Sequence, residues 1–532
     1  MKNIFRNKKD VAFLAGLVVL IAGAVFLRFY RIPEFLTFLS DQGRDAIILK
    51  RIVMLEKWVF VGPTTSIGNV FTGPFFYYLV APFMLLSGLD PAGPAYGIAL
   101  INTVGLILSF VFVLKNFGKS TAFFFLVFAG YSVNQIMQSR FSWNPNPVST
   151  FSFIALMCWY YAIREIRHHR ATHHVTPITR SLTRFIKESK WHLITGIMLG
   201  LCLQLHYVTI LLILPIGLYF LSTIFRVQST GRVSLSKEFL RPLYQMILGF
   251  LGGVVTFTPL ILFDIKNKFI NLHTLLRATS TGEIQAKSFL YYDRLTDTLR
   301  TLWFHSFGIK LDTEWSIFSL FALILLTLWI AQRYHHGVER VFIYGCLVVV
   351  VSFVPLFALI ETGRHVHYYN HLYLALYFLV ALILNSASRF NIVKLVWCVG
   401  LGVYMYQQMY LLPQIVEPMR KNTQMTEAKN VATYIKSQIT SPEYQVVGLP
   451  FYETEGHYRY YLEYLGARPM TADSLGDPHE LFVICHQLNL KDCEIPGNAQ
   501  WQLADFQNRH PQWRVVSARE IAGVRVYKIV QQ

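Results

Sequence analysis

Ser40 to Ala46 reads SDQGRDA and closely follows an apolar run, Val11 to Tyr30, long enough to cross a bilayer. Two carboxylates and a guanidinium therefore stand where the membrane should end. Ionisable groups at such a boundary are costly to desolvate, and they persist chiefly where they face a cavity or pair with one another. The stretch thus divides the chain into two questions: what lies in the membrane, and which groups share a face with Asp41.

Composition answers the first. The 532 residues are 54% hydrophobic and 15% aromatic, and only 15% are charged, well below the roughly 25% of an ordinary soluble domain. Val11 to Tyr30 lacks a small-residue cleavage site and reads as a retained anchor. Four basic residues precede it, so the positive-inside rule places the N-terminus in the cytoplasm and Asp41 outside. Arg44 to Val59 carries a helical stripe of Ile48, Ile52, Leu55 and Val59, suited to lying along the interface. Pro74 to Leu86 is apolar but too short to span, and reads as a second interfacial helix.

Further spans are expected at Pro94–Leu114, Thr121–Gln138, Val148–Ile163, Trp191–Leu205, Thr209–Phe225, Leu243–Phe263, Ile317–Ala331, Val341–Leu359, Leu372–Leu384 and Val393–Leu411. The basic loops Arg164–Lys190, with seven Lys and Arg, and Arg226–Arg241, with four, then fall inside. This accounts for much of the net charge of +18 without invoking nucleic acid. His168, His169, His173 and His174 read as part of a solvated basic loop, since no carboxylate or cysteine cluster accompanies them.

After Pro413 the composition becomes that of a soluble domain. Helices are expected at Glu427–Ile439, Glu455–Leu465 and Ala499–Asn508, with strands at Tyr444–Leu449, Leu481–Cys485, Trp513–Ser517 and Val524–Val530. The expected architecture is a membrane all-α bundle of about eleven transmembrane helices, residues 1–412. Interfacial helices lie in its first external loop, and a small external α/β domain occupies residues 413–532. Cys485 and Cys493 would lie outside, where a disulfide between them is open to the chain; the other four cysteines sit in apolar runs and read as packing residues.

The second question turns on the outer face. It collects Asp41, Arg44 and Asp45; Arg140, Trp143, Asn144 and Asn146; His206 and Tyr207; Asp264, Lys266 and Lys268; and Glu361, Arg364, His365, His367 and Tyr368. Arginines and histidines at the ends of spans suit an anionic phosphate. A carboxylate beside a phosphate needs a separate task, and taking a proton from an attacking hydroxyl is one.

Three segments carry a resemblance: SDQGRDAIILKRI, then VGPTTS and GPFFYYLVAP, then SRFSWNPNP at Ser139–Pro147. Over roughly its first 160 residues the chain resembles polytopic glycosyltransferases of the family 39 type, which include protein O-mannosyltransferases and the bacterial aminoarabinose transferase and share the C-type membrane fold. The resemblance places Asp41 at the family's catalytic aspartate and Gly73–Leu79 at its proline-bearing helix start. Where many relatives have an acidic pair, this chain has Asp41 and Gln42. It implies transfer of a sugar from a polyprenyl-phosphate donor to an external acceptor hydroxyl of protein, lipid or glycan, with inversion. No cofactor is expected, a divalent metal is left open with nothing in the sequence to support it, and no GxGxxG for a nucleotide sugar is present.

Each residue keeps a second reading. Asp41 is a base or a helix cap, with the resemblance favouring the base. Arg44 is a phosphate ligand or the salt partner of Asp41, and Asp45 a substrate contact or a partner of Arg44 or of a rim lysine rather than a second base. Arg140, Arg364, His365 and His367 are read as donor-phosphate ligands or as polar groups at helix ends. Trp143 is an interfacial anchor or a sugar platform, while Asn144, His206, Tyr207 and Tyr368 are substrate contacts or structural. A transporter or lipid flippase is the rival reading; it would want an inverted repeat and midplane charges, and neither is found. A scaffold displaying the C-terminal domain would leave the Asp41 loop unexplained.

Overall fold

The computed structural model describes residues 8–65, 70–171, 179–229, 237–280, 291–334, 337–360, 362–387, 391–416, 424–450, 455–470, 476–486, 493–496 and 500–531. The His173 and His174 pair and Glu361 lie outside these residues, as do the side chains of His168 and His169. The chain is mostly helical, with one small sheet near its end. Its first half runs α1 (Lys8–Phe29), α2 (Ile32–Phe35), α3 (Ser40–Val53), α4 (Phe75–Leu86), α5 (Ala92–Phe117), α6 (Lys119–Tyr131), α7 (Val133–Gln138), α8 (Val148–Ala171), α9 (Thr179–Leu205), α10 (Ile213–Ser229) and α11 (Lys237–Thr256). There follow α12 (Thr258–Lys266), α13 (Ile270–Ser280), α14 (Tyr291–Phe307), α15 (Thr313–Gln332), α16 (Val338–Ala358), α17 (Tyr373–Ala387), α18 (Asn391–Tyr410) and α19 (Pro413–Val416).

Among the described residues three helices are long and apolar enough to cross a membrane alone: α5, α15 and α16. A fourth crossing is formed if α11 from Leu243 and α12 count together, though they bend by 59° at Phe257. The remaining expected spans correspond to apolar helices that are shorter or more polar. The expected continuous span Thr121–Gln138 breaks at Ser132, whose side chain caps α7 by accepting from Gln135 N. Hydroxyl capping satisfies backbone donors that the break exposes. The stretch between the expected spans Leu243–Phe263 and Ile317–Ala331 also contains helices, α13 and α14.

Two devices pack the bundle. Aromatic rings fill its centre, Phe112 meeting Phe342 at 5.1 Å and Phe117 meeting Phe378 at 4.6 Å between centroids. Small residues let α9 and α11 touch backbone to backbone. A Cβ on Gly196 would stand 1.7 Å from the Gly249 carbonyl oxygen. Both glycines open a small-xxx-small pattern, Gly196/Gly200 and Gly249/Gly253, the usual means of close approach where lipid offers no hydrophobic drive.

The C-terminal part contains α20 (Gln424–Gln438), β1 (Tyr444–Leu449), α21 (Gly456–Tyr464), β2 (Glu480–Cys485), α22 (Trp501–Arg509), β3 (Arg514–Ile521) and β4 (Val524–Val530). The strands order β1-β2-β4-β3, with β1 parallel to β2 and the other pairs antiparallel. Cys485 and Cys493 form a disulfide with Cα atoms 5.8 Å apart, inside the usual range. Alternation along β1 and β2 sends Val447, Leu449, Leu481 and Val483 to one core with Leu503 and Phe506 of α22. The opposite face, with Tyr444, Val446, Phe482 and Ile484, shares a core with Ala46, Leu49 and Ile52 of α3 and with Phe76, Tyr77 and Val80 of α4. The sheet and the SDQGRDA helix are thus parts of one hydrophobic cluster.

This changes the reading of α3. The expected stripe is only part of its packed face: Ile52 is buried, and Ile48 and Val59 pack half-buried against the same cluster, but Leu55 does not. Leu55 is 73% exposed and follows the end of the helix, which closes at Met54. The buried positions are Gly43, Asp45, Ala46, Leu49 and Ile52, because protein covers α3 from the side on which lipid was expected.

Candidate active site

Asp41 lies in the first turn of α3, where a carboxylate faces the positive end of the helix. It does not close the helix itself: Gln42 does, its Oε1 accepting from Leu39 N at 3.2 Å. Gln42, the residue next to Asp41, is therefore the cap, and Asp41 is left for other contacts. Its side chain is 48% exposed, and its Oδ1 accepts from Arg44 Nη1 at 2.9 Å, one turn on.

Arg44 reaches a second acid. Its Nε and Nη2 donate to Asp45 Oδ1 at 3.0 and 2.9 Å, and Tyr77 of α4 donates its hydroxyl to the same oxygen at 2.9 Å. Asp45 is only 2% exposed in its side chain. Burial pushes its carboxyl above the usual range, against the pull of the Arg44 charge and hydrogen bonds. Burial likewise opposes the Arg44 charge, but Asp45, Tyr77 and Asp41 outweigh it and raise the guanidinium above its ordinary value. Asp45 Oδ2 and Ser142 Oγ, both buried, have no hydrogen-bond partner among the described residues. Both residues line a small cleft with Gln42, Phe38, Pro91 and Pro94.

A second group gathers around the Val366–Tyr369 turn, which follows α16. The His367 ring meets Trp143 at 4.7 Å, Tyr368 at 4.3 Å, His206 at 5.6 Å and His365 at 5.8 Å between centroids. Burial lowers His206 to about 4, with His371 adding to it. Burial lowers His367 to about 3, with His206, His365 and His305 adding. These imidazoles are accordingly neutral donors or acceptors at neutral pH. Arg364, next to His365 in the chain, carries a fixed positive charge; its Nη1 donates to the carbonyls of Ile360 and Thr362 at 3.0 and 2.6 Å. Its guanidinium lies 4.7 Å from the Phe357 ring centre, and its buried Nε and Nη2 have no partner among the described residues.

The loop Arg140–Pro147 joins the two groups, Ser142 lining the Asp45 cleft and Trp143 packing on His367. Asn144 holds the loop, its Nδ2 donating to Leu205 O at 2.7 Å beside His206. Asn370 Nδ2 does the same from the other side, donating to Pro145 O at 2.8 Å.

Other expected site residues lie elsewhere. Arg140 is 3% exposed, and its Nη1 donates to Leu27 O at 2.9 Å. It ties the loop to the end of α1 rather than presenting a cation to the cluster. Tyr207 donates to Phe71 O at 2.6 Å and fixes the segment before α4. Tyr77, Gln42 and Ser142 escaped sequence reading. Only the i+3 and i+4 spacing from Asp41 hinted at the Arg44–Asp45 network; nothing local marks Tyr77. Among the described residues no three His, Cys, Asp or Glu side chains converge as a metal site.

No protein-family model matches the chain, and no curated sequence relative does either. Solved structures do. ArnT from Cupriavidus metallidurans in the apo state has a TM-score of 0.57 at 14% identity, over 97% of both chains. ArnT bound to undecaprenyl phosphate scores 0.56 at 14%, again over 97% of both. An oligosaccharyltransferase of Archaeoglobus fulgidus, tethered to an acceptor peptide containing the NVT sequon, scores 0.50 at 14%, over 86% of this chain and 63% of its own. The fold is therefore the C-type membrane glycosyltransferase fold.

Proposed function

We propose that the protein is an integral membrane glycosyltransferase that moves a sugar from a polyprenyl-phosphate donor to an acceptor hydroxyl, with inversion, at the external membrane boundary. The observation that carries the proposal is Asp41 itself: half-exposed, oriented by Arg44, and set in the first turn of a helix inside a C-type fold. In this reading Asp41 accepts the acceptor's hydroxyl proton while that oxygen attacks the anomeric carbon. The bond to the phosphate oxygen breaks, and polyprenyl phosphate departs with the electron pair. A phosphate leaving group needs little protonation, so one base and a cationic contact suffice.

The geometry redistributes the expected roles. Arg44 is committed to two carboxylates and orients the base. Arg364, with two unpartnered nitrogens, is read as the phosphate contact, with His365 and the neutral His367 as hydrogen-bonding neighbours. His206, Tyr368 and Trp143 form the aromatic wall on which a sugar would lie, and Asn144 shapes it. The N-terminus is assigned to the cytoplasm and the C-terminal domain to the outside.

The test uses the full chain in nanodiscs, undecaprenyl phosphates bearing radiolabelled mannose, glucose or aminoarabinose, and cell membranes as the acceptor source. Transfer from one donor is expected with the wild type, and Asp41→Asn should lower it by ~10²–10⁴-fold. Near-normal turnover by a folded Asp41→Asn protein would remove Asp41 from the chemistry.

A further inference from the structure

The helix that carries Asp41 is held from outside the membrane bundle, at both of its ends, by α21. At the first turn the backbones of α3 and α21 touch. A Cβ on Gly43 would stand 2.1 Å from His457 N, and one on Gly456 would stand 2.6 Å from Ser40 O and 3.0 Å from Arg44 N. At the last turn Glu463, 5% exposed, takes Arg51 Nη2 at 2.6 Å and Lys50 Nζ at 3.5 Å. The Glu463–Arg51 contact joins residues 412 apart in sequence.

We propose that α21 is the positioning device of the Asp41 helix, with Gly456 and Glu463 as its positioning residues. The proposal rests on the reading of Asp41 as the base and says what aims it. Two contacts of different kinds, one steric and one ionic, at opposite ends of α3 fix both its rotation and its slide. A helix of 14 residues with a glycine inside is marginal on its own, so its order must come from what packs on it. The chain entering it is pinned by the same domain: Phe38 N donates to Gln424 Oε1 at 2.9 Å, and the Phe38 ring meets Tyr460 and Tyr461 edge-on at 5.9 and 5.7 Å. The same turn holds Ser40, Asp41 and Arg44, so a shift of α21 moves the carboxylate and the guanidinium that orients it.

The experiment compares full-length wild type, Glu463→Gln and Gly456→Ala in nanodiscs, by steady-state transfer and by hydrogen exchange. Both variants should lower kcat by ~10–100-fold with the donor KM within about 2-fold, because a small misplacement of a base is felt in the chemical step. Amides of residues 40–53 should exchange at least ~10-fold faster while β1 and β2 keep their protection, the mark of local loosening. Unchanged kcat together with unchanged exchange over residues 40–53 overturns the proposal. If Glu463→Gln loosens the sheet equally, the domain has unfolded, and Gly456→Ala, which removes no charge, decides. If the wild type transfers no sugar, the glycosyltransferase reading falls, and exchange over residues 40–53 alone decides whether α21 holds the helix.

Discussion

Tyr77 and Asp45 are joined by a hydrogen bond of 2.9 Å between a phenol on α4 and a buried carboxylate on α3. The same oxygen takes two bonds from Arg44. Asp45 is thus the buried foot of a bracket whose outer arm is Asp41, and the two acids, four residues apart, live in different solvents. Their substitutions should separate accordingly.

Asp45→Asn removes a buried carboxylate that takes bonds from both Arg44 and Tyr77; because the Arg44 side chain is 39% exposed and keeps Asp41, the cost is that of lost charged hydrogen bonds, about 1.5–3 kcal/mol. Asp41→Asn breaks a half-exposed pair and should cost about 0–1 kcal/mol. Thermal unfolding in detergent should therefore show a clear loss for Asp45→Asn and almost none for Asp41→Asn, while transfer activity falls in both. Equal losses of stability would mean that the two carboxylates are not divided as described.

Much of this was legible beforehand, for reasons that can be named. SDQGRDA marks the start of α3 because charge appears where apolarity stops. β1 at Tyr444–Leu449 coincides with its expected bounds, since an apolar run between turn residues is a local signal. What escaped is non-local or hidden inside uniformly apolar sequence. The break at Ser132 leaves no trace in a hydropathy window. Tyr77 looks like any aromatic in an apolar helix until α3 is laid against it. The part of α3's packed face made by Gly43, Asp45, Ala46 and Leu49 went unread because nothing near them announces a helix more than 400 residues later.

Arg140 provides a second separation. Its placement against Leu27 O makes it a tie between α1 and the Arg140–Pro147 loop. Arg140→Ala should lower stability by about 1.5–3 kcal/mol, the usual value of a lost charged hydrogen bond, and leave the donor KM unchanged. A large rise in donor KM with unaltered stability would return Arg140 to the donor site.

Acid should loosen the histidine cluster. His206 and His367 are lowered from the ordinary 6.5 to about 4 and about 3 by burial. Above pH 6.5 they are neutral in both folded and unfolded chains and contribute nothing to pH dependence. Below it the unfolded chain binds protons that the folded one refuses, so stability is lost as pH falls from 6.5 towards 4 and 3. The unfolding temperature of His367→Gln should fall less between pH 7 and pH 5 than that of the wild type. Parallel curves would show that His367 is not the group resisting protonation.

Arg364 is the sharpest test of where the phosphate sits. Its guanidinium is held by two backbone carbonyls and the Phe357 face, with Nε and Nη2 buried and unpartnered among the described residues. A half-buried guanidinium with two idle donors suits a tetrahedral anion, because the fork can meet two oxygens at once. Arg364→Ala should weaken undecaprenyl phosphate binding by ~10–100-fold, equivalent to about 1.5–3 kcal/mol for charged hydrogen bonds. Arg364→Lys should recover only part of this, since lysine restores the charge but not the fork. The acceptor KM should stay as it was, because acceptor activation is assigned to Asp41 in the other group. Undiminished binding of undecaprenyl phosphate by Arg364→Ala, measured by its quenching of Trp143 fluorescence in a variant lacking the other tryptophans, would move the phosphate away from this turn.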